Sequence, residues 1–320
     1  RWALIGTGPM TRGILPDFQL CENTEPAMIV SRDRVRAAEF ADEHGIADSG
    51  TLDDALQSAD IDAVYIANPH PFHAETAVAA LDAGKHVLVE KPIAMNRAQT
   101  ESVIAAAKAN RKFMCEAMWQ SFNPSVVELR RRVEAGTIGE VRFIEAAFGY
   151  LLAVDPVHRL WAAELGGGTV LDQGIYPLSL IHSLLGAPTE IKAAGTIGPT
   201  GVDSEATAVL DYPNARAIAI STLRTNLTAD TVIAGTGGRV ELHGPIYNPT
   251  GFTQTTWTKS GDLREKFSHE QEGNGYVPML RAISAAIAAG ELEHPYRTHA
   301  QTLEIMDTMS EILRQLGIVW

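Results

Sequence analysis

The stretch WALIGTGPMTRG, Trp2 to Gly13, sets the reading of the fold. Its apolar residues run into Gly6, Gly8 follows, and a helix-compatible run begins at Pro9 and Met10. In a turn from strand to helix, a first glycine makes the tight bend and a second lets the backbone approach a pyrophosphate at the helix N-terminus. The third position of that pattern is Thr11, with the next glycine at Gly13, so the fingerprint is imperfect. A strand-to-helix turn that binds nothing is the plain alternative. Gly6, Thr7, Gly8 and Met10 are the residues of this loop expected to touch a dinucleotide.

Outward from that turn, short apolar runs alternate with longer helical stretches, the signature of βαβ units and a parallel sheet. Strands are expected in WALIG, PAMIVS, DAVYIAN, HVLVEK and KFMCEA. Helices are expected over Asp33–His44, Phe72–Ala83, closed by Gly84, and Ala98–Ala109. After Asn123-Pro124 the texture changes. A helix over Val126–Ala135 leads to the strand VRFIEAAFGY, then a loop, a glycine triplet and another helix. From Ile191 to Phe267, runs rich in Thr, Val and Ile are separated by GPTG, YPN, GTGG and NPTG, turn signals spaced for antiparallel strands. Two amphipathic helices, Tyr276–Ala289 and His299–Leu316, close the chain. The expected fold is α/β: a Rossmann dinucleotide-binding domain over 1–120, then an α+β domain over 121–320 with a large, mostly antiparallel open sheet. An exposed apolar sheet face needs a cover, so a homodimer or homotetramer through that sheet is expected.

Composition narrows the partners. The chain has 320 residues, 45% apolar and 20% charged, with a formal charge of −13, which leaves no basic surface for a phosphate backbone. Nucleic acid is not an expected partner, and no apolar run reaches the length of a membrane span. Cys21 and Cys115 lie far apart and read as reduced thiols. A cytoplasmic protein is expected, a removed leader apart.

The end of the second strand bears on the choice of cofactor. An acidic residue about 20 residues beyond the glycine loop binds the ribose diol of NAD. Here the strand ends in Ser31-Arg32, with Asp33 one step later at an N-cap position. A hydroxyl and a guanidinium suit a 2′-phosphate, so NADP is expected ahead of NAD. Arg32 as a solvated loop residue is the other reading.

The run VYIANPHPFHAETAVAALDAGKHVLVEKP, Val64–Pro92, resembles the Gfo/Idh/MocA family of sugar oxidoreductases. FMCEAMWQSFNP and GGGTVLDQGIYPL are similar to the branch that holds glucose-fructose oxidoreductase, NADP-dependent aldose dehydrogenases and dimeric dihydrodiol dehydrogenase. The resemblance implies that Lys91 stands beside the nicotinamide and contacts the reacting hydroxyl. It also implies a cis Lys91–Pro92 bond. Glu90 is expected to pair with Lys91 or with the cofactor ribose. The residues agree, because a Lys at the carboxyl end of a parallel strand sits where such sheets bind ligands, and burial there would lower its pKa. The same resemblance makes Tyr176 the general acid/base, at a position where much of the wider family has His. Asp172, four residues earlier on one helical face, would hold a substrate hydroxyl. A helix-start carboxylate and a packed aromatic are the structural alternatives.

His70 and His73 are close in sequence, but no Cys or carboxylate completes a ligand set, so no metal is expected. By the family pattern His73 lies near the cofactor, and Asn68 and Pro69 line its groove. Trp119 would stack near the nicotinamide or sugar, or be core. Arg159 and Trp161 would close over a sugar. The charge run VELRRRVEAG reads as a solvated helix face. The expected reaction is NADP-dependent hydride transfer at a carbinol carbon of an aldose or related polyol. A trans-dihydrodiol dehydrogenase or dicarbonyl reductase, a glucose-fructose type of oxidoreductase that never releases its cofactor, and a non-catalytic NAD(P)-sensing regulator are the alternatives.

Overall fold

The computed structural model describes residues 1–228 and 231–320. The chain divides into two compact units, Arg1–Met118 with Glu272–Thr302, and Trp119–Gln271 with Leu303–Trp320.

The first unit is built on a parallel sheet. Its strands are β1 (Trp2–Ile5), β2 (Pro26–Val30), β3 (Asp48–Gly50), β4 (Ala63–Ile66), β5 (His86–Val89) and β6 (Met114–Glu116). They lie in the order β3-β2-β1-β4-β5-β6, each pair parallel. β1 and β4 are buried at every residue, which is why they read as unbroken apolar runs rather than alternating ones. Helices cover Pro9–Phe18, Arg34–His44, Leu52–Gln57, His73–Asp82 and Arg97–Asn110. Asp33 caps the second of them by accepting the N–H groups of Val35 and Arg36. β3 is the strand that the expectations lack. Its sequence, DSG, carries no apolar pattern, and it is set by pairing with β2 and by the Thr51–Asp54 capping box that follows.

The return of residues 272–302 to this unit is a second departure from the sequence reading, which placed them with the later domain. Buried polar groups draw the segment in. The Asp17 carboxylate accepts the N–H groups of Asn274 (2.8 Å) and Tyr276 (2.7 Å), so it supplies the start of the helix Val277–Ala288. The Met114 N–H donates to the Leu292 carbonyl at 3.0 Å, and Arg297 pairs with Glu116, both side chains almost wholly buried.

In the second unit the strands are β7 (Val141–Gly149), β8 (Glu190–Ile197), β9 (Asp203–Asp211), β10 (Arg216–Thr222), β11 (Val232–Gly235), β12 (Gly238–His243), β13 (Gly251–Thr258) and β14 (Gly261–Ser268). They form one eight-stranded sheet in the order β14-β13-β12-β11-β7-β10-β9-β8. Every neighbouring pair is antiparallel except β7 and β10. From Phe143 on, the burial of β7 alternates: Ile144 and Ala146 are buried on one face, while Glu145 is exposed on the other. The helix Ile175–Leu185 packs on β7 and β10, where Ala146, Ala217 and Ala219 keep the buried face low. The helix over Pro124–Glu134 starts two residues before the expected Val126, because Asn123 caps it through the Ser125 N–H at 2.8 Å. Among the described residues no helix is long and apolar enough to cross a membrane.

The Glu116–Arg297 pair makes a direct test. Arg297→Met leaves a buried carboxylate without its guanidinium, and urea unfolding is expected to show a loss of about 3–5 kcal/mol.

Candidate active site

In the first unit the strand order reverses between β1 and β4, the place where such sheets bind ligands. Gly6 ends β1 with φ 109°, and a Cβ there would stand 2.8 Å from the Ala67 carbonyl oxygen. Only glycine fits this close approach. At Gly8 nothing lies within 4 Å of where a Cβ would be, so the backbone is open at the start of the helix Pro9–Phe18. Thr11 is fully buried, and its hydroxyl donates to the Gly6 carbonyl at 2.7 Å, tying the turn where the fingerprint has its third glycine. Beside it the Asn68 amide donates to Thr76 Oγ1 at 2.9 Å, while Asn68 Oδ1 is buried with no hydrogen-bond partner. An open backbone cradle at a helix N-terminus, next to an unspent acceptor, fits a dinucleotide.

Past β2, Asp33 is engaged as the helix cap, and its own N–H donates to Ser31 Oγ at 3.2 Å. Arg32 is exposed, with its guanidinium carbon 5.7 Å from the centroid of the Phe72 ring.

Past β5, Lys91 is 7% exposed and the Lys91–Pro92 bond is cis. The Glu90 carboxylate accepts the Tyr65 hydroxyl at 2.6 Å and the Lys91 N–H at 3.2 Å. His73 is buried between two carbonyls, with Nδ1 2.7 Å from Pro92 O and Nε2 2.8 Å from Asn68 O. Burial, opposed by those carbonyls, holds its pKa below the ordinary value, so near neutrality one ring nitrogen donates. Glu116 accepts the Ile93 N–H at 2.8 Å from the other side. The residues flanking Lys91 are thus tied to β4, to β6 and to the start of the helix His73–Asp82. Among the described residues no cluster of His, Cys, Asp and Glu is arranged to hold a metal ion.

In the second unit the glycine triplet opens into a π-turn, Val170–Gly174, that continues as the helix Ile175–Leu185. The ordinary α-helix expected there gains a residue in its first turn, a distortion that recurs at functional sites. Asp172 and Tyr176 are each 5% exposed. Asp172 accepts a hydrogen bond from Arg159 at 3.0 Å. The Tyr176 oxygen accepts the Trp119 indole N–H at 2.9 Å. Two more rings close around that phenol, Phe148 at 5.7 Å and Tyr247 at 6.0 Å between centroids, and Tyr247 also lies 5.9 Å from Trp119. Trp161 is placed otherwise than a ring over a sugar. It is 2% exposed in a core cluster with Leu160, Val202 and Leu223, and a Cβ on Gly198 would come within 2.6 Å of its ring.

Three features of these sites escape the sequence reading. Phe148 ends a strand and Tyr247 sits in a turn, and no spacing links either to Tyr176. Asp203, at the start of β9, is wholly buried and accepts the Val170 N–H at 2.6 Å. Burial, against the pull of the Val170, Asp203 and Thr169 N–H groups, pushes its carboxyl up to about 7.

A doubly wound sheet with an open glycine cradle, joined in one chain to an α+β unit carrying a buried Asp and Tyr, defines a nucleotide-dependent oxidoreductase. The family comparison agrees: residues 1–117 match the oxidoreductase family GFO_IDH_MocA, NAD-binding Rossmann fold, and residues 126–244 match the GFO/IDH/MocA C-terminal domain. The chain belongs to the Gfo/Idh/MocA oxidoreductase family. It is 31% identical over 332 residues to the trans-1,2-dihydrobenzene-1,2-diol dehydrogenase of Xenopus laevis, covering 100% of this chain and 99% of that one. It is 31% identical over 330 residues to the scyllo-inositol 2-dehydrogenase (NADP(+)) IolU of Bacillus subtilis, covering 100% and 98%. The crystal structure of aldose-aldose oxidoreductase from Caulobacter crescentus superposes with a TM-score of 0.88 at 26% identity, covering 99% of this chain and 97% of that chain.

Asp203 gives a pH test with a definite sign. Its folded pKa, about 7, is raised from 3.8, so the stability it contributes is full below about 4 and is lost as pH rises through 7. Asp203→Asn removes that titration. Urea unfolding is expected to show the unmodified protein losing about 4 kcal/mol relative to the variant between pH 4 and pH 8.

Proposed function

We propose that this oxidoreductase is NADP-dependent and moves a hydride between nicotinamide and a carbinol carbon of an aldose or related polyol, recognised as a ring with neighbouring hydroxyls. The observation that carries the reading is the Tyr176 phenol, buried, fed an N–H by Trp119, and four residues from the Asp172 carboxylate that Arg159 holds. An N–H donated to a phenol oxygen favours the phenolate, so Tyr176 Oη is suited to take the hydroxyl proton as the carbinol is oxidised and to return it in reduction. Asp172 accepts a hydrogen bond from the adjacent hydroxyl, and Arg159 keeps that carboxylate charged and aimed. Lys91, at the carboxyl end of β5, contacts the reacting hydroxyl. The bound nicotinamide supplies the two-electron chemistry.

For the cofactor, Gly6, Thr7, Gly8 and Met10 hold the pyrophosphate. Ser31 and Arg32 hold the 2′-phosphate, and the capping role of Asp33 leaves that position to them. Asn68, Pro69, His73, Glu90, Lys91 and Trp119 serve the nicotinamide half, with His73 seated between the Asn68 and Pro92 carbonyls. The Bacillus relative is named for NADP(+). Its named substrate and that of the Xenopus relative are both six-membered rings with vicinal hydroxyls, which supports the same class here.

A second reading has an observation of its own. The rings of Trp119, Phe148 and Tyr247 around Tyr176 favour an apolar-faced ring, so a trans-dihydrodiol, or a dicarbonyl in the reverse direction, competes with the sugar. The buried free thiols of Cys21 and Cys115 suit a reducing interior such as the cytoplasm. The half-exposed Val209, Ile218 and Ile220 suit a sheet face covered by a second copy.

Absorbance of the reduced nicotinamide, followed with NADP or NAD and a panel of aldoses, inositols and trans-diols, tests the reading. NADP is expected to turn over with a ring polyol or diol, and Lys91→Ala and Tyr176→Phe to lower kcat by about 100-fold or more. Cofactor binding without turnover across the panel would favour the regulator. Arg32→Ala is expected to raise the KM for NADP by about 10-fold and leave that for NAD unchanged.

A further inference from the structure

The glycine triplet before the π-turn has a structural purpose that the reaction does not require of it. A Cβ on Gly167 would stand 2.8 Å from the Leu160 carbonyl oxygen and 2.9 Å from that of Ala162. The Gly168 N–H donates to Leu160 O at 2.9 Å. A Cβ on Gly168, whose φ is 108°, would collide with Asp203 Oδ1. The triplet therefore folds flat over the 160–162 backbone, and the absence of a side chain at Gly168 admits the Asp203 carboxylate beneath the turn. There Asp203 Oδ2 takes the Val170 N–H at 2.6 Å, at the entry to the turn that carries Asp172. Thr169 closes the next link, its hydroxyl donating to Gln173 Oε1 at 2.6 Å within the same turn.

We propose that Asp203 is a positioning residue for the reaction: by holding the Val170 N–H, the first of the π-turn, against β9, it sets where Asp172 and Tyr176 stand. No role in the proposed chemistry needs a carboxylate at β9, and burying one is costly unless the N–H it holds requires it. The turn is only five residues long, so an error at Val170 is carried to Asp172 two residues on, and displacements near 1 Å at a reacting group cost about 100-fold in rate. The inference rests on the reading of Tyr176 and Asp172 given above.

The test compares Asp203→Asn, which keeps an acceptor for the Val170 N–H, with Asp203→Ala and Asp203→Leu, which do not. Asp203→Leu nearly fills the same volume and stands in if the alanine variant does not fold. Steady-state kinetics and hydrogen exchange of the amides in 166–178 are read together. Expected are a fall in kcat of about 10- to 100-fold for the variants without an acceptor, with the KM for NADP within twofold of the unmodified protein. Asp203→Asn should recover most of kcat, and exchange in 166–178 should quicken in the alanine and leucine variants alone. A kcat within twofold of the unmodified protein in the leucine variant would overturn the proposal. So would equal loss in all three, or unchanged exchange. If the unmodified protein turns nothing over, the reading of the reaction fails instead, and exchange still decides whether Asp203 anchors the turn.

Discussion

Glu116 is the group that ties together the carboxyl-end edge of the first unit's sheet. Its carboxylate ends β6, accepts the Ile93 N–H just beyond Lys91, and takes the Arg297 guanidinium from the returning segment, with Arg297 Nε at 2.9 Å. A buried pair of this kind adds little net stability over an apolar filling, because both charges must be stripped of water. What it does is join three pieces of chain that nothing in sequence brings together. The His73 ring packs against the same turn from the opposite side, its Nδ1 2.7 Å from the Pro92 carbonyl oxygen. Lys91 therefore stands on backbone that cannot relax in either direction without leaving a buried polar group unmet.

The second unit solves its own version of the problem with different groups. The helix Ile175–Leu185 begins in a π-turn where Asp203 accepts the Val170 N–H, and its candidate side chains are held in part by Arg159 on Asp172 and by Trp119 on Tyr176. The phenol is walled by aromatic rings while the carboxylate is served by a half-exposed guanidinium. The surroundings of the two side chains therefore differ, apolar rings at Tyr176 and a charged partner at Asp172. A ring with an apolar face and polar rim suits that division better than an extended chain of hydroxyls.

Much of this was legible because it is local. The parallel strands announce themselves as apolar runs, Gly6 as a turn that no side chain permits, and Asp33 as a cap one step past the strand. The EKP and GGGTVLDQGIY motifs, read by resemblance, pointed to Lys91, Asp172 and Tyr176, and the structure buries all three. What could not be read depends on tertiary pairing. β3 has no apolar pattern and exists through β2. The return of 272–302 hangs on Asp17 and Glu116, whose partners lie more than 180 residues away in the chain. Phe148, Tyr247 and Asp203 are placed by sheet register and turns, and Trp161 is core because Gly198 makes room for it.

The measurement that bears most directly on the central claim follows the hydrogen itself. A ring polyol or trans-diol deuterated at its carbinol carbons is oxidised with NADP, and the recovered cofactor is analysed by mass spectrometry. The account predicts that the reduced cofactor gains a single deuterium, with the transfer slowed in Tyr176→Phe but its destination unchanged. A diol consumed while the cofactor stays unlabelled, or label lost to water, would contradict it.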